Sequence, residues 1–466
     1  MWSFLRPEPH RPLLPKEQID PTYKRLRVQV FIGIFIGYAG YYLVRKNFAL
    51  AMPYLVEMGF DKGLLGVAIS ANAIAYGLSK FLMGGVSDRS SARKFLPLGL
   101  TLSALTTLVL GTRAGLSSVV SMFILQFLIG WFQGMGWPPS GRVMTHWFSQ
   151  HERGTKMSIW NVAHNVGGAL IGPMAAVGMA WFGSWQAGTF WFPASVALVI
   201  VVIAYLLIRD TPQSCGLPPI EQYRNDYPPN YSAQSEVELT AKEIFFKYVL
   251  SNKILWYIAI ANAFIYLVRY GVLDWAPTYL KEVKGYDIKE IGWAYFSYEF
   301  AAIPGTIFCG WLSDKVFKGR RAITTMIYMV AVAIFVFVYW EFSKTPLMDS
   351  ICLIAIGFLI YGPVMLIGVH ALDLAPKKAA GTAGGVFGVF WFFLIRMAAG
   401  TAAGFTGFFG YFFGTALFAN IGLGYVVQNL GWNWNFIVLL VACALAFIFI
   451  GFTAKEEQYL VKQAKQ

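Results

Sequence analysis

Residues 41–55 read YYLVRKNFALAMPYL and residues 265–280 read IYLVRYGVLDWAPTYL. In each, an arginine follows Leu-Val at the end of a long apolar run, and the offset from Arg45 to Arg269 is 224. Further along, GGVSDR (84–89) is answered by GWLSDK (310–315), where the offset from Asp88 to Asp314 is 226. Two separate marks sharing nearly one period describe a chain built as two related halves. A guanidinium in hydrocarbon costs about 2.5–3.5 kcal/mol even on the lenient insertion scale. A charge kept at the same point of both halves therefore calls for a ligand or partner of opposite sign.

The surroundings are a membrane protein's. Of 466 residues 57% are hydrophobic and 13% charged, with a mean hydropathy of +0.55. Apolar runs of about 20 residues, the length that crosses a bilayer, recur throughout and lack the alternation of barrel strands. The expected fold is all-α and polytopic, about 12 transmembrane helices. The runs are placed at 27–47, 64–87, 94–113, 119–143, 156–180, 187–208, 253–277, 290–313, 321–341, 349–372, 379–424 (composite) and 430–453. Between the sixth and seventh lies a stretch rich in Pro, Asn and charge. It divides the chain into a first bundle (1–208), a central cytoplasmic loop (209–252) and a second bundle (253–466). Thr240-x-x-Glu243 within the loop has the spacing of a capping box and predicts a short interfacial helix.

The net charge of +13 is distributed by side of the membrane, which argues against nucleic-acid binding. Six Lys/Arg fall between Met1 and Arg27, and others cluster at Arg89, Arg93 and Lys94, at Arg153 and Lys156, at Lys315, Lys318, Arg320 and Arg321, and at Lys377 and Lys378. The alternate connections are nearly bare. This positive-inside pattern places the N-terminus in the cytoplasm; Lys455, Lys462 and Lys465 favour the same side for the C-terminus. One connection breaks the rule, with Lys281, Lys284 and Lys289 mixed among Glu282, Asp287 and Glu290. The N-terminus has no apolar core followed by a cleavage site, so the first span is expected to be its own insertion signal. The four cysteines lack metal or redox spacing.

The stretches DPTYKRLR (20–27), YYLVRKNFALAMPYL, FQGMGWPPSGR (132–142), DTPQSCGLPPIEQY (210–223), RYGVLDWAPTYLKEVK (269–284) and FLIYGPVMLIG (358–368) span both halves. Through them the chain resembles the major facilitator superfamily, whose members are two six-helix bundles related by a pseudo-twofold. Within it the chain is similar to the organophosphate:phosphate antiporters. The resemblance implies alternating access in a bacterial inner membrane, a small organophosphate (glycerol-3-phosphate) exchanged for inorganic phosphate, and a working monomer in the lipid bilayer. A hexose phosphate as substrate, or a membrane sensor of external organophosphate, are the alternatives it leaves. An ion channel is disfavoured by the two-bundle repeat.

It also implies roles for residues. Arg45 and Arg269 would hold the phosphate, since two guanidiniums balance a dianion and each planar fork donates two hydrogen bonds; snorkelling or a carboxylate partner is the alternative for either alone. Lys80, within AYGLSKFLMGG, would be a further cation on the phosphate path, or a lysine snorkelling to the inner end. His164, in WNVAHNVGGAL (160–170), would contact substrate or sense its protonation, or bond to a neighbouring helix; His370 carries less support. Tyr38, Tyr42 and Tyr266 share faces with the arginines, and with Tyr361 would offer hydroxyls; Tyr76 is a further candidate, although with 24 tyrosines most must be packing or interface residues. Asp88, Arg89, Asp314 and Lys315, at cytoplasmic helix ends, read as switch residues that pair in one state and separate in another. Asp274 and Glu299 would compete for Arg269 or His164, or couple protons; Asp274 also suits an interfacial position near the outer end.

There is no GxxxxGK[ST] loop for ATP, and no Ser-His-Asp, HExxH or paired Cys-His set, so no enzyme, metal or cofactor is expected. AAGTA recurs at 379 and 398, a departure from the family pattern. The extra apolar stretch near 380–398, with Arg396, would lengthen the eleventh span, re-enter, or cross.

Overall fold

The computed structural model describes residues 3–225, 251–373 and 406–454, apart from some side chains within them. The capping-box spacing at Thr240, the duplicated AAGTA stretch and Arg396 lie outside these residues. Those described form helices without strands, as expected: α1 (Lys16–Leu43), α2 (Asn47–Glu57), α3 (Lys62–Asp88), α4 (Ala92–Leu110), α5 (Val119–Gln133), α6 (Trp137–Trp147), α7 (Gln150–Phe182), α8 (Phe192–Leu207) and the short α9 (Ile220–Arg224). Then come α10 (Lys253–Glu282), α11 (Ile288–Trp311), α12 (Arg321–Glu341), α13 (Pro346–Asp373), the wide α14 (Phe409–Gly422), α15 (Leu423–Leu430) and α16 (Trp432–Gly451). Ten helical stretches among the described residues are long and apolar enough to cross a membrane. Outside those ten, α3 and α11 run for 27 and 24 residues and occupy equivalent places in the repeat.

The first span differs from its expected end at residue 47. It breaks at 44–46 and continues as α2 to Glu57, so Arg45 sits inside the helical stretch Lys16–Glu57 and not at its boundary. A helix interrupted at membrane depth leaves carbonyls that protein must satisfy. Here Gln133 Nε2 donates to Tyr41 O at 2.9 Å, and the Ala49 N–H returns to Lys46 O at 3.1 Å. Arg269 lies midway along α10, which also runs past its expected end at 277.

Two units divide the chain. Met1–Phe60, Ala68–Pro228 and Leu280–Phe296 form the first; Asp61–Val67, Pro229–Tyr279 and Ser297–Gln466 form the second. Each unit thus takes the connection after the first helix of the other half. In the first unit, Tyr23, Leu26, Val30, Ile34, Tyr38 and Tyr41 recur at helical spacing on α1 and pack with Leu96, Leu100, Trp160, Ala197 and Ala204. Small residues bring the helices close: a Cβ on Gly37 would lie 2.8 Å from Leu96 Cδ2.

At the N-terminal end of α4, the buried Asp210 carboxylate accepts from Ser91 Oγ (2.9 Å), the Arg93 N–H (3.0 Å) and the Glu8 N–H (3.0 Å). It caps α4 from a distant part of the sequence and ties the N-terminal arm to the stretch after α8. Arg93 completes the junction with an ion pair to Glu8 at 2.8 Å.

A second junction gives a pH prediction. Glu152, in the first turn of α7, closes a capping box with Ser149 and pairs with Arg27 of α1. Burial alone would raise this carboxyl, but the bond and charge of Arg27 and the Ser149 N–H hold it below the ordinary glutamate value. A lowered carboxylate pKa contributes stability that is complete above the unfolded value, about 4.3, and is lost as pH falls through the folded value. The melting-temperature difference between the native chain and Glu152→Gln in detergent should hold constant from about pH 7 to 5 and close below about pH 4. A difference persisting undiminished at still lower pH contradicts this.

Candidate functional site

Each unit encloses one arginine in tyrosines. In the first, Arg45 is 4% exposed, with its guanidinium 3.8 Å over the Tyr76 ring and 5.0 Å over Tyr42. Arg45 Nη1 donates to Tyr42 Oη at 3.2 Å. Tyr42 in turn lies 5.5 Å from the Tyr38 ring and 5.4 Å from that of His164. Tyr38 rests on Trp160 at 4.5 Å, and the indole N–H of Trp160 is fixed on Ile34 O at 3.1 Å. Trp160 and His164 are one turn apart on α7, so a single helix face supplies both. His164 Nδ1 bonds to the Asn161 carbonyl.

The second unit repeats the arrangement. Arg269 is 6% exposed and lies 4.1 Å over Tyr361, 4.7 Å over Tyr270 and 5.8 Å over Tyr266. Tyr411 of α14 packs on Tyr266 at 5.2 Å and Tyr270 at 6.3 Å. Tyr298 Oη donates to Arg269 O at 3.1 Å. The buried Arg269 Nε has no hydrogen-bond partner among the described residues. Asp274 lies on α10 five residues after Arg269, and Glu299 follows Tyr298 on α11. Asp274 is fully buried and Glu299 is 5% exposed.

Aromatic faces stabilise a cation without neutralising it: each contact contributes about 0.5–2 kcal/mol, more when dry. Tyrosine hydroxyls at the ring edges offer both donor and acceptor. Such a cage keeps a buried guanidinium charged and surrounded by hydroxyls, a setting suited to an anion. Such a setting is compatible with oxyanion binding, and among the described residues no nucleophile–base pair adjoins it.

The other expected residues divide. Lys80 and Asp88 are on α3, with side chains outside the described residues. Arg89 is exposed at its end. Asp314 and Lys315 lie in a widened turn closing α11, where Asp314 pairs with Arg321 at the start of α12 and Arg321 Nη1 also donates to Ser313 Oγ at 2.9 Å. His370, on α13, bonds Thr453 Oγ1, just past the end of α16, at 2.9 Å. Sequence reading missed Trp160, Tyr270, Tyr298 and Tyr411. It also missed Arg142, which donates to the Ser87 carbonyl at 3.2 Å and also to that of Ser90. Spacing gave a signal for two of these: Trp160 precedes His164 by one turn, and Tyr270 follows Arg269.

Residues 34–400 match the model of the Major Facilitator Superfamily. The chain is 56% identical over 455 residues to the "Glycerol-3-phosphate transporter" of Bacillus subtilis (strain 168), covering 97% of this chain and 98% of that one. It is 50% identical to the "Glycerol-3-phosphate transporter" of Haemophilus influenzae (strain ATCC 51907 / DSM 11121 / KW20 / Rd), covering 98% and 97%. Among solved structures, a bacterial homologue of the human lysosomal transporter Spinster matches with a TM-score of 0.69 at 14% identity, covering 94% of this chain and 98% of that one.

Proposed function

The chain belongs to the major facilitator superfamily, and on that footing we propose that it exchanges glycerol-3-phosphate for inorganic phosphate by alternating access. The observation that carries this reading is the pair of buried arginines, each in a tyrosine cage and each at the same point of its half. The names of the similar proteins support organophosphate transport and supply no enzyme. In this reading Arg45 and Arg269 grip one phosphate, a requirement shared by both substrates. Tyr38, Tyr42, Tyr266 and Tyr361 bond its oxygens or the glycerol, and His164 and Lys80 add positive charge. Asp274 and Glu299 compete for Arg269 when the anion leaves. Asp88, Arg89, Asp314 and Lys315 pair and separate as residues 1–208 and 253–466 alternate about the loop 209–252. The carrier works as a monomer in a bacterial inner membrane, with both termini in the cytoplasm.

The test is competition in phosphate-loaded proteoliposomes. Glycerol-3-phosphate should inhibit labelled phosphate uptake at concentrations at least about tenfold below those of glucose-6-phosphate, a difference of about 1.4 kcal/mol. Equal or better inhibition by glucose-6-phosphate contradicts the assignment and makes a hexose phosphate the substrate.

A further inference from the structure

The two cages rest on a support that neither the arginines nor the substrate reading calls for. A Cβ on Gly167 of α7 would overlap the Ala39 carbonyl oxygen and lie 2.8 Å from Tyr42 Cβ. A Cβ on Gly414 of α14 would overlap the Ala263 carbonyl oxygen and lie 2.8 Å from Tyr266 Cβ. Ala39 and Ala263, and Tyr42 and Tyr266, are each separated by the same offset as Arg45 and Arg269. The same three-residue contact is thus built once in each unit, and each time the seated side chain is the tyrosine three residues before the arginine. We propose that Gly167 and Gly414 are positioning residues for anion binding. They let α7 and α14 come close enough to fix Tyr42 and Tyr266, and through those rings Arg45 and Arg269; this rests on the reading of the site given above.

Plain helix packing uses glycine too, and the neighbour separates the two cases. At Gly37 an added methyl meets the end of the Leu96 side chain at 2.8 Å and the Ala204 Cβ at 3.3 Å, neither of them a backbone carbonyl or a cage tyrosine. At Gly167 and Gly414 it meets a backbone carbonyl and the Cβ of a cage tyrosine, and the helix itself must shift. His164 lies three residues before Gly167 on α7, so the same shift moves its ring against Tyr42.

The experiment measures inorganic phosphate binding and melting temperature on the purified chain. Gly167→Ala and Gly414→Ala should each raise the phosphate Kd at least about tenfold, since sub-ångström misplacement of a binding group costs factors of this size. Gly37→Ala, the packing control, should lower the melting temperature without moving Kd. Native Kd in both cage variants, or an equal rise in Gly37→Ala, overturns the proposal while leaving the site reading intact. A native chain that binds no phosphate overturns both.

A separate observation concerns one of the basic residues on the wrong side of the charge pattern. Lys281 Nζ lies 3.1 Å from Glu57 Oε1 and 4.7 Å over the Tyr54 ring, which stacks on Trp185 at 5.0 Å and 6°. Glu57 and Lys281 are again related by the offset of the two arginines. The two halves therefore carry opposite charges at one equivalent position, and both residues fall within the first unit. We infer that this pair is a latch, closed in one state of the carrier and open in the other. Glu57 is 59% exposed, and so exposed a pair is weak enough to break in every turnover. The stacked rings give it direction.

Nitroxides at the exposed neighbours, introduced as Met58→Cys and Val283→Cys in a Cys215→Ser background, report the separation by electron resonance; the other three cysteines are buried. The native chain in nanodiscs should show two distances. Lys281→Glu should shift the population toward the longer at least about threefold, the range of a weak ion pair, and Glu57→Lys with Lys281→Glu should restore it. One distance in every variant, or a double reversal that behaves as the single one, overturns the latch whether or not the chain transports.

Discussion

Arg269→Lys is expected to lower phosphate binding and exchange by about 10- to 150-fold, and Arg45→Lys by a similar factor. The factor follows from one charge-assisted hydrogen bond, about 1.5–3 kcal/mol, at about 1.4 kcal/mol per factor of ten. Lysine keeps the charge, so loss on this substitution separates geometry from simple attraction. In the proposed site the guanidinium would present a planar fork to two phosphate oxygens while its face stacks on rings; for Arg269 those rings are Tyr361 and Tyr270. An ammonium is a compact, strongly hydrated point charge that can do neither at once. Folding should survive, because the cage tyrosines remain and lysine also sits favourably over aromatic faces. Activity within about twofold of the native chain in either variant contradicts the role assigned to that arginine.

The second large effect concerns the empty carrier. Vesicles loaded with phosphate should take up labelled phosphate at least about a hundredfold faster than vesicles without it. The physical reason is repulsion: like charges that serve one anion oppose each other when the anion is missing, by a few kcal/mol at an effective dielectric of about 20. In the exchange proposed above, a bound phosphate dianion would remove that opposition, and an unloaded carrier would meet it each time it reorients. A ligand moves a conformational equilibrium only by its differential interaction with the two states, and here the difference is the cancelled repulsion. Comparable uptake into loaded and empty vesicles contradicts obligatory exchange, though it leaves anion binding untouched.

Much of this was legible in the residues, for reasons that can be named. A charge inside an apolar run is expensive, so Arg45 and Arg269 stand out, and their shared offset marks the repeat without any structure. The neighbours Tyr42 and Tyr266 follow from helical spacing. What stayed hidden depends on contacts between distant segments. The run ending in Arg45 and Lys46 read as a helix boundary because charge normally marks the membrane surface. The break is in fact an internal one, satisfied by Gln133 from another helix. Tyr76 and Tyr361 could be named only as candidates among many tyrosines. Nothing local says that their faces, more than their hydroxyls, meet the guanidiniums. Gly167 and Gly414 carry no local mark of their partners, Tyr42 and Tyr266, which emerge only when the helices are set side by side. Asp210 gave no local sign of capping α4, since its three donors come from two other parts of the chain.

A phosphate titration of the purified chain, counting sites by calorimetry, meets the central claim directly. If guanidiniums from both halves close on a single anion, the native chain binds one phosphate, and Arg45→Lys or Arg269→Lys alone weakens that one site. Two phosphates per chain, each lost with only one of the arginines, would mean that the cages act separately and that no shared site exists.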